Sequence, residues 1–181
     1  MWAGAQKITS SRSLKSLGFT FGEDPTPNAH VSGLIKRFRS RTWAIRKLRR
    51  ANFSTEELIK FYKSNIRSLA EYASPAFHSM IPAYLSEDME RQQNLALKNV
   101  FGVGISAERM REKAGITTLK ERRETATLKF ALKTEKSERF RDWFPRRQGP
   151  HISRKFRPIL ESTARTNRHR DSPINLSLIH I

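Results

Sequence analysis

Apolar residues recur every three or four positions along most of the first 145 residues of this chain, which is the spacing of amphipathic helices. The first helix is expected to run from Asn28, as its N-cap, to about Arg50. Its buried positions are expected to be Val31, Leu34, Ile35, Phe38, Ile45 and Leu48. A second helix is expected to begin at Ser54, because Ser54 and Glu57 have the spacing of a capping box, and to end at Pro75. Its buried positions are expected to be Leu58, Phe61, Tyr62, Ile66 and Leu69.

Three more helical segments follow. Residues 86–101 are expected to form a third helix with acidic residues in its first turn, where the helix dipole favours negative charge, namely Glu87, Asp88 and Glu90. Its expected core positions are Met89, Ala96, Leu97, Val100 and Phe101. A short helix over residues 106–114 is expected to stop at Gly115, and a longer one to cover residues 118–136. The latter is expected to bury Leu119, Ala126, Phe130 and Ala131, and the core to be closed by Phe140, Trp143 and Phe144.

One short strand is predicted before the helices. Residues 17–21 alternate Leu17, Phe19 and Phe21 with Gly18 and Thr20, and a loop containing two prolines follows. Residues 1–14 show no clear periodicity, and no partner strand is evident downstream. Since a single strand is not stable alone, its sheet is expected to be encoded upstream of this chain.

These patterns predict a mainly α protein, a small bundle of about five helices preceded by a short β-strand remnant. Residues 1–27 form the remnant, residues 28–145 the helical domain, and residues 146–181 a basic tail. The tail carries eight Lys or Arg between Arg146 and Arg170, with Glu161 as the one acid among them. Such a segment is too polar and too charged to be buried, so we expect it to be disordered.

The charge of the chain points to a polyanionic partner. There are 35 Lys and Arg against 17 Asp and Glu, a formal net charge of +18. Binding to phosphates relieves this self-repulsion and releases counterions. A membrane surface is the weaker alternative, since no stretch approaches the roughly 18 consecutive apolar residues of a spanning helix. The absence of cysteine excludes disulfides and Cys-ligated zinc. With no signal-peptide pattern, we expect an intracellular protein, nuclear or cytoplasmic, and not a secreted one.

The first helix concentrates this charge. Its 15 residues from 36 to 50 contain eight cations and no acid. At about 100° per residue, one side of the helix collects Lys36, Arg39, Arg46, Lys47 and Arg50, which we call the basic stripe. Arg37 is included as a candidate ligand, whereas Arg41 and Arg49 lie toward the apolar side and are taken as flanking residues. Trp43 projects from the stripe, where its indole either stacks on a base or sugar or packs on a neighbouring element.

No catalytic or metal-binding constellation is found in the sequence. The five histidines, at positions 30, 78, 151, 169 and 180, are isolated from other metal ligands. His30 is read as part of the first helical turn, and the acidic cluster at residues 87–90 as helix stabilisation. Gly102 and Gly104 lack the spacing and the preceding strand of a phosphate-binding loop. We therefore expect no cofactor and no enzymatic activity of this chain alone.

The order of several motifs resembles reverse transcriptases of non-LTR (LINE-like) retrotransposons. The matching segments are residues 17–21 with the following Asn-x-His, residues 41–51 (RTWAIRKLRRA), 61–68 (FYKSNIRS), 71–75 (EYASP), 85–93 (LSEDMERQQ), 118–123 (TLKERR) and 140–145 (FRDWFP). The resemblance covers roughly residues 14–145 and implies the end of the palm and the thumb of an RNA-directed DNA polymerase. The family holds Mg²⁺ with a palm Asp-Asp pair that lies upstream of the strand seen here.

The resemblance implies a chain that holds a substrate but lacks the catalytic aspartates. Its partners would be the backbone of an RNA–DNA or DNA duplex and the upstream palm and fingers, with no membrane involved. Binding of this kind depends on shape and phosphates and does not read sequence. The last six residues, 176–181, resemble an in-frame translation of a sequencing-library adaptor.

Two alternatives stay open at this stage. A freestanding basic helical protein, of ribosomal or chromatin type, would bind phosphate backbones with the same stripe. A membrane-surface protein would keep its binding to anionic vesicles when nucleic acid is added as a competitor.

Overall fold

The structure, a computed structural model, describes residues 2–3, 6–7, 11–24 and 26–143, and the side chains of residues 11–24 and 26–140. Four short strands form two antiparallel pairs, β1 (Trp2–Ala3) with β2 (Gln6–Lys7) and β3 (Ser13–Ser16) with β4 (Phe19–Gly22). The helices are α1 (Asn28–Arg50), α2 (Thr55–Phe61), α3 (Ser68–Glu71), α4 (Ser74–Phe77), α5 (Ala83–Phe101), α6 (Ala107–Ala114) and α7 (Leu119–Glu135). A π-helical segment, Tyr62–Arg67, joins α2 to α3 without a break, and 3₁₀ turns cover His78–Met80 and Glu138–Trp143.

The described residues confirm the predicted mainly α class. Since α2, the π segment and α3 form one continuous helix and α4 is a single turn, the described part of the chain has five principal helices. The expected basic tail, the adaptor-like end, Phe144 and the side chain of Trp143 lie outside the described part of the chain.

The strand prediction is wrong about the partner strand and places the start of the strand two residues too early. The partner of β4 lies in this chain, directly before it, so β4 needs no sheet encoded upstream. The turn between β3 and β4 consists of Leu17 (φ 47°) and Gly18 (φ 80°), the backbone of a tight two-residue hairpin. Leu17 is therefore a turn residue, 90% exposed, and not part of the strand. All four residues of β3 are exposed, so it has no apolar alternation that the sequence could have shown.

The hairpin packs on the first turn of α1. The ring of Phe19 stacks on His30 with centroids 4.0 Å apart, and the Thr20 N–H donates to His30 Nδ1 at 3.3 Å. On the other side, the Tyr72 hydroxyl donates to the carbonyl of Leu17. Burial, with a smaller contribution from the charge of Arg37, lowers the pKa of His30 below its ordinary value. His30 belongs to the first helical turn, as predicted, and as a neutral ring it also fixes the hairpin.

Most helix ends follow local signals, with two corrections. The capping box is present, because Glu57 N–H donates to Ser54 Oγ at 3.3 Å and Ser54 N–H to Glu57 Oε2 at 2.8 Å. Asn28 is the first residue of α1 and makes no side-chain cap, so its prediction as N-cap is wrong. The second helix ends before Ala73, whose φ of 53° breaks it, and Pro75 lies in the first turn of α4 instead.

Helix α5 begins three residues earlier than predicted, directly after Pro82. The predicted role of the acidic cluster in a first turn is therefore wrong, since the first turn of α5 contains no acid. Two of the three acids make specific contacts instead. Asp88 pairs with Arg91 at 3.0 Å, and Glu90 Oε1 accepts the backbone N–H of Lys120 at 2.7 Å, which ties α5 to the start of α7.

The other predicted ends are confirmed. Helix α5 stops at Gly102 (φ 96°), and α6 runs between Ser106 and Gly115 (φ 58°). Helix α7 starts with a second capping box, Thr118 with Glu121.

The core lies among α1, the second helix and α5, and is closed by α6 and α7. Most predicted core positions are buried, but six are only half-buried: Leu48, Phe61, Leu69, Phe101, Ala126 and Phe140. Phe130 is 43% exposed, so its predicted burial is wrong. The buried side of α7 is largely polar, comprising Leu119, Arg123, Thr127, Ala131 and Thr134. It packs because Arg123 donates to Ser86 Oγ at 2.6 Å and the Thr127 hydroxyl to the carbonyl of Arg123 at 2.7 Å.

One ion cluster ties α3 to α7. Glu71 receives two hydrogen bonds from Arg122, at 2.9 and 3.0 Å, and pairs with Arg67 at 2.8 Å. Burial raises the pKa of Glu71, but the hydrogen bond from Arg122 and the two positive charges outweigh it, so the pKa lies below its ordinary value. Glu71 is therefore ionised and bound at neutral pH.

Candidate nucleic-acid interface

The basic stripe lies on the exposed side of α1. All five of its members, Lys36, Arg39, Arg46, Lys47 and Arg50, are exposed. The opposite side of the helix buries Val31, Phe38 and Ile45, so hydrophobic packing fixes the direction in which the cations point. Because α1 contains no Asp or Glu, no carboxylate of its own helix neutralises the stripe.

The remaining arginines of α1 are engaged within the protein. Arg37 is exposed away from the stripe, and its Nε donates to the carbonyl of Gly33 at 3.4 Å. Arg41 donates to the carbonyl of Asn65 in the π segment, and Arg49 to the carbonyl of Asn99 at 3.1 Å. Arg41 and Arg49 thus connect α1 to neighbouring parts of the chain.

Helix α5 lies beside α1 and runs in the same direction. Arg46 Nε donates to Asn99 Oδ1 at 3.1 Å, while Arg39 and Trp43, earlier on α1, lie beside Gln92, earlier on α5. The C-terminal ends of the two helices are therefore adjacent. This arrangement widens the basic surface beyond the single helix that the sequence indicated.

An open basic hollow of about 790 Å³ lies between these two ends. Its cations are Arg46, Arg49, Arg50 and Lys98, and no carboxylate of the described residues lines it. The C-terminal ends of helices carry partial negative charge, which offsets part of this positive potential. The four positive charges outweigh the partial negative charges of two helix ends, each about half an elementary charge. The hollow therefore has the charge to hold an anionic group.

Trp43 does not fill the core. Its side chain is 55% exposed, and the ammonium of Lys47 lies 3.9 Å from the ring centroid, in cation–π contact. The ring also lines a second hollow toward α5. The indole thus lies beside α5 and still presents surface to solvent, while its stacking on a base or sugar stays a prediction.

The sequence did not indicate the residues that α5 contributes. Gln92, Leu95, Lys98 and Asn99 border the stripe only because α1 and α5 pack in parallel at this register. Leu95 is an apolar residue left 37% exposed. An exposed leucine within a helix that is otherwise clearly patterned was the available signal, but it does not reveal which helix lies next to it.

Within the described residues, no His, Cys, Asp or Glu side chains gather in a group of three or more that could hold a metal ion. A search of the same residues finds no helix with the length and apolar character to span a membrane. Comparison of the chain with family models, curated proteins and solved structures gives no match.

Proposed function

We propose that this chain binds the phosphate backbone of a nucleic-acid duplex through the basic stripe of α1. The observation that carries the proposal is an exposed, carboxylate-free row of cations that continues into the basic hollow at the end of α5. A net charge of +18 adds a general attraction for polyanions. Lys and Arg contacts of this kind set affinity and position without reading sequence.

The proposed origin is the thumb-like C-terminal part of a non-LTR retrotransposon reverse transcriptase. The motif order over roughly residues 14–145 supports it. In this proposal the chain grips the template-primer duplex, and the Mg²⁺-dependent chemistry belongs to palm residues outside this chain. The upstream palm and fingers would be its protein partners, and the chain alone would not polymerise.

A freestanding basic nucleic-acid-binding protein is the second candidate, and one observation favours it. The hairpin of β3 and β4 is complete within the chain and packs on α1 through Phe19 and His30. The strand therefore gives no argument for a sheet encoded upstream. The DNA before Met1 decides between the candidates: an open frame leading to a Tyr/Phe-x-Asp-Asp motif supports the polymerase origin, and a promoter with untranslated sequence supports the freestanding protein.

The binding role is tested by removing positive charge from the stripe and, in a matched control, from other helices. One variant carries Lys36→Gln, Arg39→Gln and Arg50→Gln, all exposed on the stripe. Its matched control carries Lys60→Gln, Lys129→Gln and Lys133→Gln, exposed residues of α2 and α7. Both lose three positive charges, so a general charge effect is the same in both.

Duplex affinity is then measured against salt concentration. If each of the three stripe residues contacts one phosphate, the slope of log K against log salt falls by about 2.7 in the stripe variant. The control is expected to change it little. Equal slopes in the two variants would refute the role of the stripe.

A further inference from the structure

The second hollow between α1 and α5 combines three kinds of side chain. It has a volume of about 440 Å³ and is lined by Arg39, Thr42, Trp43, Arg46, Gln92 and Leu95. Trp43 and Leu95 supply apolar surface, and the two arginines supply positive charge. Gln92 supplies a terminal amide between them. Volumes of this order are typical of sites that enclose a small organic group.

Gln92 carries an unsatisfied polar group. Only 7% of the residue is exposed, and its Oε1 is buried without a hydrogen-bond partner among the described residues. A buried polar atom without a partner costs free energy, so such atoms are usually satisfied by water or by a ligand. A half-turn of the terminal amide exchanges its oxygen and nitrogen, so the side chain is able to offer either a donor or an acceptor to the hollow.

The group that fits these features is planar, bears both donors and acceptors on its edge, and is attached to a phosphate. A glutamine amide hydrogen-bonds to the edge of a nucleobase. An indole stacks on the face of any base, and Trp43 is 55% exposed while it lines the hollow. Arg39 and Arg46, at the border of the hollow, lie where flanking phosphates would be held.

We propose that this hollow receives one unpaired nucleobase of the bound nucleic acid. Bases inside a duplex are stacked on both faces, so the occupant is a base from a single-stranded stretch that adjoins the phosphates held by the stripe. The proposal rests on the proposed function and adds base contact to a surface otherwise devoted to phosphates. Trp43 provides the stacking face, Leu95 the apolar wall and Gln92 the hydrogen-bonding group.

The test compares two single-stranded oligonucleotides with the same number of phosphates, one with all its bases and one with abasic positions in the central stretch. The wild-type protein is expected to bind the first about tenfold more tightly, the effect of one stacked base. Trp43→Leu is expected to bring the ratio close to one, and Gln92→Leu, which keeps the stacking indole, to lower it by a smaller amount; both variants are first shown to be folded by circular dichroism.

A second readout does not depend on those variants. In protein carrying Trp2→Phe and Trp143→Phe, Trp43 is the one remaining tryptophan, and its fluorescence is expected to be quenched by the base-containing oligonucleotide and not by the abasic one. Equal affinity of the wild type for both oligonucleotides, or an unchanged ratio in both variants, would overturn the base site. In that case, tight and salt-dependent binding of the abasic strand would still support the phosphate-binding function. Failure to bind the two single strands and the duplex would contradict the base site and the phosphate-binding function alike.

Discussion

A buried hydrogen-bond chain joins the π segment to α5 and gives the most quantitative prediction about stability. Tyr62 and Gln93 are both fully buried, and the Tyr62 hydroxyl donates to Gln93 Oε1 at 2.7 Å. Gln93 Nε2 in turn donates to the carbonyl of Thr117 at 3.2 Å, just before α7. Loss of either Tyr62 or Gln93 leaves the side-chain oxygen of the other without a partner in a fully buried place.

The expected costs follow from the groups left unpaired. Tyr62→Phe leaves one buried amide oxygen unsatisfied and is expected to lower the free energy of unfolding by about 1–2 kcal/mol. Gln93→Leu leaves the fully buried Tyr62 hydroxyl unpaired, whereas the carbonyl of Thr117, an exposed residue, becomes free to bind water; we expect a cost of about 1–3 kcal/mol. The double variant strands neither the hydroxyl nor the amide oxygen, so its cost is expected to be smaller than the sum of the two single costs by about 2 kcal/mol or more.

Urea denaturation followed by circular dichroism measures these differences. The m-value is expected to stay constant while the midpoint shifts. Tyr84→Phe is the matched control, because Tyr84 is 56% exposed, and is expected to leave the midpoint unchanged. Additive costs in the double variant, or a Tyr62→Phe effect no larger than that of the control, would refute the described hydrogen-bond chain.

Three further predictions concern titration and capping. Because folding lowers the pKa of His30, the unfolded chain binds more protons than the folded one below pH about 6.5. The free energy of unfolding is therefore expected to fall as the pH drops below that value, and to fall less in His30→Gln. Equal pH profiles of thermal unfolding for the two proteins would contradict this. Folding lowers the pKa of Glu71, so its carboxylate stabilises the folded protein at pH values above its unfolded pKa. Glu71→Gln is therefore expected to be less stable than the wild type at pH 7, and the difference to shrink below pH about 4.5. A constant difference would exclude the ion cluster with Arg122. Ser54→Ala removes the capping box with Glu57 and is expected to lower the free energy of unfolding in urea by about 1 kcal/mol. No change would mean that the cap does not stabilise the helix.

The sequence predicted the elements that depend on local chemistry. The capping box at Ser54 and the glycines that end α5 and α6 act within a few residues of the chain, so their effect is independent of the rest of the fold. The exposed stripe of α1 was predictable for a similar reason, because the apolar face of one long helix fixes where the opposite face points.

Features that depend on tertiary packing were missed. Strand β3 is entirely exposed and is defined by its hydrogen bonds to β4, which leave no apolar pattern. On α7, Arg123 is buried because Ser86 of α5 accepts its hydrogen bond, while Phe130 remains exposed. The part of the candidate site on α5, including Gln92, depends likewise on the register of two helices about 50 residues apart.

The central claim, that the stripe contacts nucleic acid, is tested most directly by lysine acylation with and without saturating duplex, read by peptide mass spectrometry. Lys36 and Lys47 lie on the stripe and Lys98 borders the basic hollow, while Lys129 and Lys133 on α7 report the background. Bound duplex is expected to slow acylation of the first three lysines several-fold and to leave the two on α7 unchanged. Equal protection of both groups, or protection on α7 alone, would contradict the proposed interface.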